Sequence, residues 1–302
     1  MPDTANPRPR LADLSVDLGR RTRLHRILYE HGPGNGTLLI LPIDQGLEHG
    51  PVDFFPNPAS ADPEYQFRLA LEGNYSAIAL HYGLAQRYME KYAGAVPLVL
   101  KINGKTNIPS DAGAFSPLTA QVEDAVRLGA DAIGYTLYVG SPNQAQDINQ
   151  FMEVRRACDK YGMPIIMWAY PRGEAIGKKG GKDSIYAIDY AARVACELGA
   201  DIVKLNLPNV PRDGNPGEYL DLNEDLQART NRLVRSAGRS MVLFSGGSKV
   251  SDDDLMNQVE VSLNAGATGI IFGRNMWQRP FDEALAISQR VHETFGRYGD
   301  KA

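Results

Sequence analysis

Short apolar runs alternate along the chain with longer stretches in which Ala and Leu are interspersed with Glu and Arg. Eight such runs occur, at residues 38–44, 76–82, 97–103, 132–138, 164–170, 201–207, 240–245 and 269–273. Within each run the hydrophobicity is continuous rather than alternating. A strand with that pattern is buried on both faces, as in a parallel sheet covered by helices. Several intervening stretches close on a glycine just before the next run: Leu128-Gly129-Ala130-Asp131, Leu198-Gly199-Ala200-Asp201 and Asn264-Ala265-Gly266-Ala267. Glycine there suits the left-handed residue that ends a helix. Strand, helix and glycine stop, repeated eight times, predict an α/β protein of the (β/α)8 TIM barrel class. The rival, an open doubly wound sheet, usually carries a glycine-rich dinucleotide turn after its first strand. None is present: Gly32-Pro33-Gly34-Asn35-Gly36 precedes the first run instead of following it.

Length agrees with one barrel. The 302 residues are read as a single domain spanning 1–302, with 1–37 as an N-terminal extension that holds a helix near residues 24–30. The Pro-, Gly- and Asn-rich stretch 208–222 is either a functional loop or a solvated excursion. Hydrophobic residues make up 43% of the chain and charged ones 23%, with a net charge of −4. The basic residues are dispersed, so no nucleic-acid footprint is expected. No apolar run reaches the roughly 18 residues of a membrane span, and the polar, Pro-rich start is no secretory signal. Cys158 and Cys196 sit among apolar neighbours and read as reduced, buried thiols of a cytoplasmic protein.

A barrel places its chemistry at the C-terminal strand ends. Lys204, inside the apolar run Asp201-Ile202-Val203-Lys204-Leu205, is the outlier. Such a lysine is either ion-paired or desolvated with a lowered pKa, in which case its neutral amine attacks carbonyls. Asp44 ends the first run and either handles a proton or caps the next turn. Lys101 ends the third; it lowers the pKa of Lys204, or it pairs with Asp44. Tyr170 ends the fifth, and Trp168 and Arg172, two residues to either side, share its face. Trp168 is read as a site residue or as barrel core. Ser245-Gly246-Gly247 and Gly273-Arg274 follow the last two runs. Small residues with free N–H groups at this place form the recurrent phosphate site of barrels. Arg274 adds a charged donor.

Other motifs fall away. Residues 173–179 are one residue short of a P-loop and lack its Ser or Thr. The five histidines have no metal-ligand spacing, so no metal is expected. His49, just after the first run, is read as ordering its loop.

The ordered segments Asp44-Gln45-Gly46-Leu47-Glu48-His49-Gly50-Pro51, Leu100-Lys101-Ile102-Asn103-Gly104-Lys105-Thr106, Gly134-Tyr135-Thr136-Leu137-Tyr138, Trp168-Ala169-Tyr170-Pro171-Arg172-Gly173, Asp201-Ile202-Val203-Lys204, Ser245-Gly246-Gly247 and Gly273-Arg274-Asn275-Met276-Trp277-Gln278 resemble archaeal-type class I fructose-bisphosphate aldolases. The wider group includes deoxyribose-phosphate aldolase and aminodideoxyheptulosonate synthase. The resemblance spans nearly the whole chain. It implies that Lys204 forms a Schiff base, that Asp44 serves near C4 of the sugar, and that Tyr170 handles protons on the carbinolamine and enamine. It further implies that Ser245, Gly246, Gly273 and Arg274 hold the phosphate beside the ketone, and that Trp168 and Arg172 line the sugar site. A tryptophan at 168 favours the bisphosphate aldolase over the synthases.

Two segments depart from the family. Asp44-Gln45-Gly46 stands where Asp-His-Gly is usual, and Lys204-Leu205-Asn206-Leu207-Pro208 replaces Lys-x-Lys/Ser-Tyr-Thr-Gly-Asp. Family members are often homo-oligomers. The implied reaction is reversible cleavage of fructose 1,6-bisphosphate, a phosphorylated sugar, without cofactor. The rivals are a related lysine aldolase, transaldolase or thiolase acting on another phosphorylated ketone, and a barrel that binds sugar phosphates without turnover.

Overall fold

The computed structural model describes residues 6–208, 214–222 and 224–300. Eight strands form a closed parallel barrel in sequence order: β1 (Leu38–Pro42), β2 (Ala77–His81), β3 (Leu98–Lys101), β4 (Ala132–Val139), β5 (Ile165–Pro171), β6 (Ile202–Asn206), β7 (Met241–Ser245) and β8 (Gly269–Ile271), with β8 pairing back onto β1. This is the (β/α)8 TIM barrel that the rhythm of apolar runs predicts.

Every strand core is buried, but its two faces meet different partners. Leu39, Leu41, Ile78, Leu80, Leu98 and Leu100 pack outward against the helices. Leu38, Ile40, Ala77, Ala79, Val99, Ile166, Ile202 and Leu243 fill the barrel interior. This two-residue alternation extends to the mouth. Lys101 follows Val99, Trp168 and Tyr170 follow Ile166, Lys204 follows Ile202, and Ser245 follows Leu243 on the inward face.

The helices begin and end where the sequence supplies caps. Ser184 accepts from the Ala187 N–H to start the helix Ile185–Leu198, and Gly199, at φ 95°, ends it. The extension forms α1 (Leu18–His25) and a π turn over Arg26–Glu30. The predicted helix near 24–30 therefore starts early, because Asp17 caps it by accepting from Arg20 N. Leu11, Leu24, Ile27 and Leu28 close the barrel floor against the interior residues. Arg26 reaches Asp131 at 3.0 Å and Arg20 reaches Asp201 at 3.4 Å, tying the extension to the starts of β4 and β6.

Two expectations need correction, and a third is only partly covered. Strand one stops at Pro42, so Asp44 lies beyond it, at the start of α2 (Gln45–Glu48), and its side chain makes no capping hydrogen bond. Cys158 is buried but Cys196 is only half-buried; both are free thiols. Of the 208–222 stretch, residues 209–213 lie outside the described residues, and Gly217–Leu220 forms one helical turn.

Candidate active site

The mouth encloses a cavity of about 650 Å³, lined by Asp44, Glu48, Trp168, Tyr170, Arg172, Lys204, Ser245, Gly246, Gly247, Gly273 and Arg274 among others. That volume suits a small organic ligand. Lys101 lies beneath it rather than in its wall.

Lys204 is 5% exposed. Its Nζ hydrogen-bonds to the Tyr170 hydroxyl and sits 5.2 Å from the Trp168 ring centre. Among the described residues no carboxylate lies within 4.0 Å of it, so the ion-pair alternative does not hold there. Burial lowers its pKa to about 8; Asp44 and Glu48 oppose the shift, while Lys101 and Arg274 reinforce it. An appreciable neutral fraction is thereby present near neutral pH. Tyr170 is pushed well above the ordinary phenol value, by burial first and then by Glu48 and Asp44. It therefore stays protonated and can act as an acid.

Asp44 is 2% exposed. Burial acts to raise its pKa, but Lys101, Lys204 and His81 outweigh that and hold it below the ordinary value. Both alternatives for Lys101 are realised. It lies 3.5 Å from Asp44 and also disfavours the charge on Lys204. Its stronger hydrogen bonds go to Glu48 Oε1, at 3.0 Å, and Thr136 Oγ1, at 2.7 Å. Trp168 is both core and site. It is 1% exposed within the interior cluster, and its ring lies under both ammonium groups. Arg172 lies over the Tyr170 ring at 5.2 Å and pairs with Asp111 at 2.9 Å.

The loops after β7 and β8 form one unit. Asn275, buried, donates from Nδ2 to Gly246 O and Ser248 O and accepts at Oδ1 from Val250 N. Close approach favours glycine at 246, where the Asn275 amide is held by its hydrogen bonds, whereas at 273 the nearest atom is the end of a flexible glutamine. A Cβ on Gly246 would stand 2.7 Å from Asn275 Nδ2, and one on Gly273 would stand 2.6 Å from Gln45 Nε2. The N–H groups of Gly246, Gly247, Gly273 and Arg274 make no backbone hydrogen bond among the described residues. Arg274 stands beside them, 4.0 Å from Asp53, which His49 holds at 2.7 Å. Ser245 is committed differently: its hydroxyl donates to Asn206 Oδ1 at 2.6 Å, and Asn206 in turn donates to Asp183 at 3.2 Å. The arrangement pairs a dry amine and a phenol with an anion cradle in one cavity.

The sequence reading missed Glu48, Thr136, Asn206 and Asn275. Glu48 lies four residues after Asp44, a spacing that puts both carboxylates on one helical face. Thr136 follows Ala132 and Gly134 on the inward face of β4. Among the described residues, no three His, Cys, Asp or Glu side chains are grouped to hold a metal. No helix among them is long and apolar enough to cross a membrane.

Known proteins resemble this chain in sequence and fold. The sequence pattern of the DeoC/LacD family aldolases matches residues 38–279. The chain is 39% identical over 267 residues to the class 1 fructose-bisphosphate aldolase of Thermoproteus tenax, covering 88% of this chain and 91% of that one. Its fold is similar to an archaeal fructose-1,6-bisphosphate aldolase solved with its catalytic lysine covalently bound to the carbinolamine intermediate, with TM-score 0.76, 37% identity and coverage of 89% and 98%. It is also similar to the fructose-bisphosphate aldolase of Slackia heliotrinireducens, with TM-score 0.80, 28% identity and 98% of both chains covered.

Proposed function

This chain belongs to the DeoC/LacD aldolase family, and from that premise we propose that it is a class I fructose-bisphosphate aldolase with Lys204 as its Schiff-base nucleophile. The enzyme is a lyase that interconverts fructose 1,6-bisphosphate with dihydroxyacetone phosphate and glyceraldehyde 3-phosphate. The observation that carries the site assignment is the placement of Lys204: buried, without a carboxylate in ion-pair distance among the described residues, with its pKa down to about 8, in the same cavity as the cradle.

Neutral Lys204 attacks the C2 carbonyl. Tyr170 gives a proton to the carbinolamine oxygen, water leaves, and an iminium remains. Asp44 accepts the C4 hydroxyl proton. The C3–C4 bond then breaks, its electron pair neutralises the iminium to an enamine, and the aldehyde departs. Tyr170, reprotonated by water, supplies a proton to C3 of the enamine; hydrolysis of the resulting iminium frees the ketone and neutral Lys204, and Asp44 and the hydrolysis step return their protons to water. The free N–H groups of Gly246, Gly247 and Gly273, with Arg274, hold the phosphate next to the ketone. Ser245 joins them only if its hydroxyl turns from Asn206. Trp168 and Arg172 bound the sugar chain, and Lys101 sets the local field. The reaction calls for no metal or organic cofactor.

We further read residues 1–302 as one domain, with 1–37 as its extension, working in the cytoplasm as a homo-oligomer. The free thiols and the absence, among the described residues, of a helix suited to a membrane support the compartment. A second phosphorylated ketone remains the rival substrate, favoured by Asn206, Leu207 and Pro208, which line the cavity where the family pattern is departed from. Coupled assay of fructose 1,6-bisphosphate cleavage against other phosphorylated ketoses decides between them. The proposal requires fructose 1,6-bisphosphate to be cleaved with the highest kcat/KM. A higher value for another ketose overturns it.

A further inference from the structure

Two carboxylates flank the buried ammonium of Lys101, and they are not equivalent. Lys101 is fully buried. Its Nζ donates to Glu48 at 3.0 Å and to Thr136 at 2.7 Å, while Asp44 Oδ2 stands off at 3.5 Å. Asp44 Oδ2 is itself buried and accepts no hydrogen bond among the described residues. An ammonium has three N–H groups, and two are donated to Glu48 and Thr136. A carboxylate that accepts a short charged hydrogen bond is a weaker base, because that bond favours its ionised form.

We propose that Glu48 is a positioning residue for bond cleavage: it holds Lys101 so that the Asp44 carboxylate stays basic enough to take the C4 hydroxyl proton. The inference rests on the reading of Asp44 as the base. In that step the O–H bond at C4 breaks and its proton passes to the Asp44 carboxylate. C4 becomes a carbonyl, and the C3–C4 electron pair enters the iminium. The charged and titratable groups facing Asp44 are Lys101, Lys204, His81 and Tyr170. His81, in register with Lys101 across β2 and β3, is pushed toward its neutral form by burial first and then by Lys101, against Asp44 and Glu48. Glu48 is thus the carboxylate that holds the Lys101 ammonium at hydrogen-bond distance, while Asp44 does not.

The test is Glu48→Gln, which keeps an acceptor but removes the charge. Lys101 then acts on Asp44 alone. Cleavage kcat is expected to fall about ten- to a hundredfold, with the acidic limb of its pH profile moving down. Borohydride trapping of dihydroxyacetone phosphate on Lys204 is expected to stay at the wild-type level, because Glu48 opposes the neutral amine. Lys101→Met is expected to move the acidic limb up instead. Adding Glu48→Gln to Lys101→Met is expected to change kcat by no more than about threefold, as for residues acting through one partner. This pair leaves no buried ammonium unpaired, so it carries the test if the single Glu48 variant does not fold. Wild-type cleavage and an unmoved limb in Glu48→Gln would overturn the proposal, as would a large further loss in the double variant. Absence of trapping in the wild type overturns the Schiff-base reading and this inference with it.

Discussion

The two ends of the barrel hold buried charge in opposite ways. At the floor, Asp131 and Asp201 each face an arginine from the N-terminal extension, and Asp201 also accepts from Ile165 N at 2.8 Å. Burial nonetheless raises both carboxyls to about 6. At the mouth, Lys204 has no carboxylate partner within ion-pair distance among the described residues, and Asp44 keeps an oxygen without a hydrogen bond. The same closed sheet supplies both settings. The floor sets each buried carboxylate against an arginine and joins the extension to the barrel; the mouth leaves Lys204 without such a partner among the described residues, which is where reactivity resides. Stability and chemistry are thereby divided between the two ends of the strands.

Breaking the mouth is expected to cost activity and spare the fold. Lys204→Met comes first: kcat falls on the order of 10⁵-fold or more, the scale for a covalent nucleophile, while the circular dichroism spectrum is retained. Tyr170→Phe follows, with a loss of about 10²–10⁴-fold in kcat by steady-state kinetics. Arg274→Ala raises KM about ten- to a hundredfold, the equivalent of a charged hydrogen bond. With a ketone donor that lacks the phosphate, the same substitution changes little. The pH dependence sharpens the contrast: single-turnover imine formation climbs as pH rises through about 8, where Lys204 loses its proton.

Breaking the floor is expected to do the reverse, and weakly. The folded pKa values of Asp131 and Asp201 lie above the ordinary 3.8, so the folded state binds these protons more tightly. Their contribution to stability is complete below that value and is lost as pH rises through about 6. Asp201→Asn removes this dependence for one site. In urea titrations it shifts stability at pH 7 by about 1 kcal/mol or less, with kcat and KM unchanged. A floor variant that lost activity while remaining folded would erase the division.

Much of this division was legible in the chain. Continuous apolar runs revealed all eight strands, because burial on both faces leaves no polar alternation. An isolated Lys204 in such a run pointed to the mouth, and its inward direction follows from the parity of Ile202. The strand ends were less legible. Apolar character carries on through Ile43 and Ile102, each of which still donates one backbone hydrogen bond to the neighbouring strand just past the last residue of its own strand. Asp44 consequently looked like a strand residue, and Glu48, four positions on, was passed over. Asn206 and Asn275 were opaque for another reason: each works through partners 39 and 29 positions away, Ser245 and Gly246, and only the closed barrel brings them together. The start of α1 was hidden because the cap at Asp17 lies well ahead of Leu24, Ile27 and Leu28, the residues that mark its buried face.

The most direct test is mass spectrometry of the protein reduced with borohydride in the presence of dihydroxyacetone phosphate. The account predicts one reduced adduct per chain, on the peptide containing Lys204. No adduct, or one carried by Lys101 or a surface lysine, would contradict it.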